Sequence, residues 1–414
     1  MGGEPSLKPG PSLKRGLNLP LLVLYGLGTT IGAGIYALVG KVVGNAGLHA
    51  PFAFLLSAAL VAFSAFSFAE LSSRLPRSAG EAVYVHESFG LRWLALAVGL
   101  LVILAGIVSC ATLARGFVGY FQELAALPAW LGILLIVAAL AAVAAWGITE
   151  SALLAAAVTL LEAGGLIFVV WSGHDALATL PQRWTEIVPS LEGGVWLGLL
   201  SAGVVAFYAF IGFEDMVNVA EEVKDAERSM PAAILLTLAL TSVLYFLVGL
   251  VAVLAVPVDD LAVSDAPLAL FIQRTTGGSG AWISLIAIVA VLNGALIQII
   301  MAARVLYGLS AQGWLPPFFA QVHARRRTPV KATLAVAAAV AGFALLLPLE
   351  TLARGTSLVT LVIFATVNLA LWRLKARAPA PAGAVTFPRW ISLCGCLVCA
   401  AVFALEVARL IAGL

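Results

Sequence analysis

Three carboxylic acids stand in stretches where nearly every neighbour is apolar. Glu162 lies in TLLEAGGLIFVV, and Glu214 and Asp215 follow Gly212 in GVVAFYAFIGFEDMVNVAEE, residues 203–222. An ionisable group at the centre of an apolar helix costs roughly 2.5–3.5 kcal/mol on insertion scales, so it faces protein rather than lipid. Glu162 has two uses at that depth. It can take up and release a proton, or it can be a structural carboxyl bonded to unwound backbone or to a hydroxyl. Glu214 and Asp215 suit the N-terminus of the half-helix that begins after Gly212, where an acid caps free N–H groups. Direct ligand contact is their second use.

Backbone chemistry is concentrated in LNLPLLVLYGLGTTIGAGIYALVGKVV, residues 17–43. The run is long enough to span a bilayer, which takes roughly 20 apolar residues. Its centre is Thr29-Thr30-Ile31-Gly32-Ala33-Gly34, a poor helix former where lipid most demands a helix. Open backbone at membrane depth survives only inside protein or beside a water-filled cavity, so the stretch reads as two half-helices meeting at a break that lines a site. A half-helix starting near Gly34 turns free N–H groups and a positive dipole end toward that site, which suits a carboxylate. The second interrupted stretch leaves carbonyls free near Phe210, Ile211 and Gly212, which suit an ammonium. The competing reading is close packing, since Gly28, Gly32 and Gly40 repeat at multiples of four residues.

No metal or nucleophile constellation accompanies these groups. Cys110 sits in one apolar run, and Cys394, Cys396 and Cys399 share another, on different helix faces; His49, His86, His174 and His323 fall in separate loops or loop edges. These cysteines read as small apolar residues. No cofactor is expected beyond a coupling proton. An intramembrane enzyme would need a nucleophile–base pair or metal ligands at a shared depth, and none is visible.

The elements that must hold the breaks are membrane helices. Hydrophobic residues make up 62% of the 414-residue chain and charged residues 11%, against about 25% charged in a soluble domain. The chain therefore reads as an all-α polytopic membrane protein with lipid around it and no nucleic-acid partner. Eleven spans are predicted, near 18–43, 51–74, 93–119, 129–147, 152–172, 195–220, 231–256, 281–308, 331–348, 355–374 and 390–412, with Pro51 opening the second and Pro231 the seventh. The polar tail 1–16 lacks the apolar run of a signal peptide. Of the 23 Lys and Arg, sixteen fall on the N-terminal side of this topology and five on the other, which predicts a cytoplasmic N-terminus and an external C-terminus. Arg115 and Arg304 fall within spans and are expected to snorkel to the membrane surface. Glu221, Glu222 and Lys224 read as a solvated inner gate, and Glu406 and Arg409 as a helical pair.

The two interrupted spans are the first and the sixth, so they hold equivalent places in two five-helix halves. Gly-interrupted spans at corresponding positions are the sequence pointer to an inverted-repeat secondary transporter. The predicted organisation is a tail (1–16), a first repeat (17–173), a second repeat (174–376), and a linker with an eleventh helix (377–414). Facing acceptor and donor patches match a zwitterionic amino acid as substrate.

Four stretches carry a family resemblance: LYGLGTTIGAGIYALVG, FAELSSRLPRSAGEAVYVHESFG, FYAFIGFEDMVNVAEEVKDAERSMPAAI and NGALIQIIMAARVLYGLSAQGWLP. Together they resemble the amino acid–polyamine–organocation (APC) transporter superfamily, near bacterial permeases related to the cationic amino acid transporter branch. The resemblance covers about Leu17 to Leu374. It implies a leucine-transporter-like fold of five plus five inverted helices in a bacterial plasma membrane. It also implies substrate held by the backbone of Ile31, Gly32, Ala33 and Gly34 and of Phe210, Ile211 and Gly212, with Tyr208 as a lid. In some proton-driven members a lysine near the Glu162 position takes the place of a sodium ion. Such proteins usually have twelve or more helices, so one is missing here at the C-terminal end. Further pocket candidates are Thr30, Ser109, Cys110, Thr112, Asn293 and Thr360.

With Glu162 and Glu214 the acids placed at pocket depth, the expected function is proton-coupled symport of neutral amino acids by alternating access. Exchange, transport of cationic amino acids or polyamines, and a non-transporting sensor or partner subunit are the alternatives.

Overall fold

The computed structural model describes residues 13–122, 128–264, 266–347 and 349–412, apart from the side chains at 33, 37, 116, 119–122, 349–357, 406 and 409–412. The predicted Glu406–Arg409 pair lies outside the described side chains. In chain order the helices are α1 (Leu19–Ala46), α2 (Ala50–Arg74), α3 (Gly80–Phe89), α4 (Arg92–Gln122), α5 (Ala129–Trp146), α6 (Ile148–Ser172), α7 (His174–Leu177), α8 (Leu180–Ile187) and α9 (Gly193–Tyr208). A 3₁₀ segment (Phe213–Glu222) follows. Then come α10 (Ala226–Ala255), α11 (Val258–Val263), α12 (Pro267–Thr276), α13 (Ala281–Ala311), α14 (Val330–Leu346), α15 (Leu349–Arg377) and α16 (Arg389–Ala412). Among the described residues nine segments are long and apolar enough to cross a bilayer. Two shorter apolar helices, Val330–Leu346 and Arg389–Leu405, join them. Each of them falls on one of the eleven stretches read as spans from the sequence.

Local chemistry sets several ends. Asn18 caps α1, its side-chain oxygen accepting from the Leu21 N–H at 3.1 Å, and Pro20 sits in the first turn, where it loses no helical bond. Gly90 closes α3 with φ 70°, its N–H bonded to the His86 carbonyl. Two predicted boundaries shift. α10 begins at Ala226 and runs through Pro231, which stands inside the helix rather than at its start. α6 begins at Ile148, straight after Gly147, without the predicted gap before 152.

α1 lies at the centre, packed on α10, α6, α9 and α13. α2 packs along α10 and α9, while α4 packs along α13 and α15 and α14 along α5. The chain entering α1 is tied to the end of the 3₁₀ segment by a single parallel bridge. The Leu17 N–H donates to Glu222 O at 3.0 Å, and the Lys224 N–H donates to Leu17 O at 2.8 Å.

Candidate functional site

Both interrupted spans are broken at the glycines. In α1, Gly32 has φ 32° and ψ −153°, outside helical geometry, and a side chain added there would meet nothing within 4 Å. Thr29 and Thr30 precede it, and both hydroxyls donate back to the Gly26 carbonyl, at 2.8 and 2.9 Å. Such back-bonding bends a helix. Gly212 has φ 128°, and a Cβ there would stand 2.6 Å from the Thr29 carbonyl oxygen. The second break therefore rests on the first, and only glycine permits both its φ and that approach. The other α1 glycines divide. Gly28 and Gly40 are close-packing positions, against Thr159 and Asn293 and against Leu261 and Pro267 respectively. Gly32 is a break.

After Gly212 the chain winds as a 3₁₀ segment, not the α-helical half that was predicted. Glu214 Oε2 accepts the Gly212 N–H at 2.7 Å, and Asp215 Oδ2 accepts from Gln298 Nε2 of α13 at 2.7 Å.

A cavity of about 230 Å³ opens between the breaks. It is lined by Thr29, Thr30, Gly32 and Gly34 of α1, Ser109 and Leu113 of α4, Tyr208, Ile211 and Gly212 at the second break, Ala290, Gly294 and Gln298 of α13, and Thr360 of α15. It is smaller than a drug-sized site. Of the residues named from the sequence, Thr30, Gly32, Gly34, Ser109, Tyr208, Ile211, Gly212 and Thr360 line it. Ile31 and Phe210 are buried beside it, and the Ala33 side chain lies outside the described set. Cys110 turns away to the Ala295 carbonyl, and the Thr112 hydroxyl bonds within its own helix. Asn293 is displaced from the predicted pocket wall. Its Nδ2 donates to Glu162 Oε1 at 3.0 Å and to Thr159 Oγ1 at 3.2 Å.

Glu162 is fully buried behind α1. Its backbone carbonyl accepts the Tyr36 hydroxyl at 2.7 Å, while its Oε2 and Asn293 Oδ1 have no partner. An amide and a carboxyl, each with one oxygen unserved, form a pair that one added proton would complete.

Gln298 in the wall and Tyr245 behind it went unnoticed in the sequence. Gln298 shares a stripe with Ala290 and Gly294 at four-residue spacing, so a polar residue in register with small ones in an apolar span was the available signal. Tyr245 of α10 lies behind the site, and its hydroxyl sits 2.9 Å from Thr30 O and 3.0 Å from Ala209 O. One phenol thus stands within hydrogen-bond distance of a carbonyl at each break. Nothing in the sequence around Tyr245 marks that role.

Arg304 departs from the snorkelling expected of it, while Arg115 reaches the end of a neighbouring helix. Arg304 is 0% exposed and forms a two-pronged pair with Glu222, Nε–Oε2 3.0 Å and Nη2–Oε1 3.1 Å; Glu222 is equally buried. The predicted solvated gate is therefore a dry ion pair at that residue. Arg115 donates to the Ala344 and Leu347 carbonyls at 2.8 and 2.6 Å, capping the end of α14. The short list of acids at pocket depth also needs correction. Glu81 of α3 and Asp215 join Glu214 around a smaller cavity beside the first.

Residues 17–411 match the family described as Amino acid permease. The chain belongs to that family. The methylthioribose transporter of Bacillus subtilis is 30% identical over 89% of this chain and 83% of its own. The branched-chain amino acid permease BcaP of the same organism is 28% identical, over 89% and 82%. The vacuolar cationic amino acid transporter 4 of Arabidopsis thaliana is 31% identical over 89% of this chain, which spans 65% of that longer protein. The chain is thus an integral membrane permease of the APC type, not an enzyme.

Proposed function

We propose that this permease carries an α-amino acid across the plasma membrane by alternating access, with the zwitterion held between the breaks at Gly32 and Gly212. The observation that carries the reading is that both breaks open on one 230 Å³ cavity. N–H groups beyond Gly32 receive the carboxylate, and carbonyls before Gly212 receive the ammonium. The five-plus-five inverted repeat (17–173 and 174–376) supplies the two halves that rock around this point, with the N-terminus in the cytoplasm and the C-terminus outside. Proton symport is the coupling, with Glu162 binding the proton. Its support is the buried carboxyl, its unserved Oε2 and the facing Asn293.

Uptake of labelled amino acids into proteoliposomes, after a thermal-shift screen of the twenty amino acids and of methylthioribose, tests the reading. Accumulation driven by an inward proton gradient is the expected result. An absence of uptake and of exchange with every amino acid would leave a sensor or partner subunit. Glu162→Gln is expected to abolish gradient-driven accumulation and its pH response while counterflow exchange persists. A variant that keeps the full pH response would remove Glu162 from coupling.

A further inference from the structure

On the side where α1 begins, cations from two distant stretches meet at the Gly147 turn between α5 and α6. The segment before α1 reaches the turn through Gly16, where an added Cβ would run into Thr149 Oγ1 of α6. The loop before α14 reaches it through Thr328, whose buried hydroxyl donates to the Ala145 carbonyl of α5 at 2.9 Å. The first stretch carries Lys14 and Arg15, both exposed, and the second carries Arg325 and Arg326, also exposed. That loop is closed by its own backbone. The His323 N–H donates to Thr328 O at 2.9 Å, the Arg327 N–H to His323 O at 2.8 Å, and the Arg326 N–H to His323 Nδ1 at 3.2 Å. Arg325 and Arg326 are thereby held at its tip. Among the described residues, Lys14, Arg15, Arg325 and Arg326 form no ion pair. The acid carried by the turn itself is Glu150, whose carboxylate lies over Gly147 at the start of its own helix. Four gathered cations leave a positive potential that an anion relieves. Aromatic rings accompany them. Trp146, the last residue of α5, is 64% exposed. Phe318, in the loop before α14, is 51% exposed and has Lys331 Nζ 4.4 Å from its ring centre. Tryptophan at the end of a membrane helix sits at headgroup level, and a basic cluster at that level meets lipid phosphate.

We infer that this turn is a binding site for an anionic phospholipid, with Lys14, Arg15, Arg325 and Arg326 around the phosphate and Trp146 and Phe318 against the glycerol and upper acyl chains. The inference rests on the membrane embedding of the chain and not on its substrate, so it stands or falls apart from the amino-acid reading. A general excess of positive charge would draw anionic lipid to any part of this face. A site holds it at one turn.

Phosphatidylglycerol and phosphatidylcholine of identical acyl chains are titrated against the full chain in detergent, and bound lipid is counted by native mass spectrometry. Phosphatidylglycerol is expected to bind at least about tenfold tighter. Arg325→Gln combined with Arg326→Gln is expected to remove most of that preference. Arg77→Gln combined with Arg228→Gln takes the same charge from exposed positions near the end of α2 on the same side, and is expected to leave the preference nearly whole. Equal loss in the two double variants would reveal general charge rather than a site and overturns the inference. A wild-type ratio near one, which needs no variant to fold, also overturns it. Soluble glycerol 3-phosphate at millimolar concentration is expected not to displace the lipid; displacement would assign the turn to a soluble anion instead.

Discussion

Tyr245 shows how much one hydroxyl can carry at a broken helix. The carbonyls of Thr30 and Ala209 lie beside the two breaks, and the phenol stands within hydrogen-bond distance of both. A single proton serves one of them at a time. Tyr245→Phe should therefore strand a buried carbonyl and cost about 1–3 kcal/mol of stability. A lowered melting temperature in detergent, with a weakened ligand-induced shift, is the expected signature; an unchanged melt would show that water serves both carbonyls equally well. Glu81 gives a pH prediction of definite sign. It lies on α3, outside the membrane-crossing helices, and burial pushes its carboxyl from the ordinary 4.5 up to about 8. Glu214 adds to the rise, Asn218 opposes it, and Tyr84 and Asp215 are the other ionisable groups that feel its charge. Between those two values the folded chain holds a proton that the unfolded chain has released. This contribution to stability is thus complete below about pH 4.5 and is lost as pH rises to 8. Melts of the ligand-free protein across that range should decline with pH, and Glu81→Gln should flatten the decline.

At the scale of elements, the two breaks are one structure. Gly212 touches the Thr29 carbonyl, and Gly34 lies against Ala209 across the same contact. Alanine at 212 would bring its Cβ to 2.6 Å from backbone that cannot swing aside, at a φ of 128° that L-residues rarely adopt. Gly212→Ala is expected to abolish ligand-induced thermal shifts. Gly164, one helix away, is the control: it is helical, exposed, and has open space around its would-be Cβ. Alanine there should leave binding alone and stabilise by up to about 1 kcal/mol. Equal loss of binding in both variants would show that glycine content in general, rather than the break, is what matters. α13 is the other positioning element. One helix brings Asn293 to Glu162, Gln298 to Asp215 and Arg304 to Glu222, so three separate acids on two elements are read from one rigid rod.

Across the whole molecule, a cluster of bonds ties the chain together on the side where α1 begins. The Leu17 bridge, the Arg304–Glu222 pair, the Ser78 N–H on Glu221 and the Gly80 N–H on Asn218 all converge on the 3₁₀ segment. A buried pair that loses one member leaves a stranded charge, at a cost of about 3–5 kcal/mol. Arg304→Ala should therefore loosen this side and raise amide hydrogen exchange around residues 13–25 and 217–224, ahead of any change in α14 or α16. Uniform exchange across all helices would mean the pair stabilises the fold globally rather than locking one end. On the same side Glu70 of α2 holds Lys375 of α15, and the Phe387 N–H of the strap leading to α16, so the last helix is anchored through one buried carboxylate.

Much of this was legible in the linear chain. Eleven apolar runs, the positions of Gly32 and Gly212, and Glu162 inside a span all follow from rules in which each residue meets the same lipid solvent. Backbone that cannot stay helical must be sheltered, and a charge must turn inward. What needed the folded molecule were the partnerships. Asn293 belongs to Glu162 and not to the cavity wall, Arg304 is neutralised by Glu222, Tyr245 spans both breaks, and Glu81 reaches a cavity from a helix 137 residues before its Asn218 partner. Hydropathy and helical spacing report what a residue requires of its surroundings. Which distant group meets that requirement depends on how helices cross, and helix crossing leaves no periodic mark in the sequence.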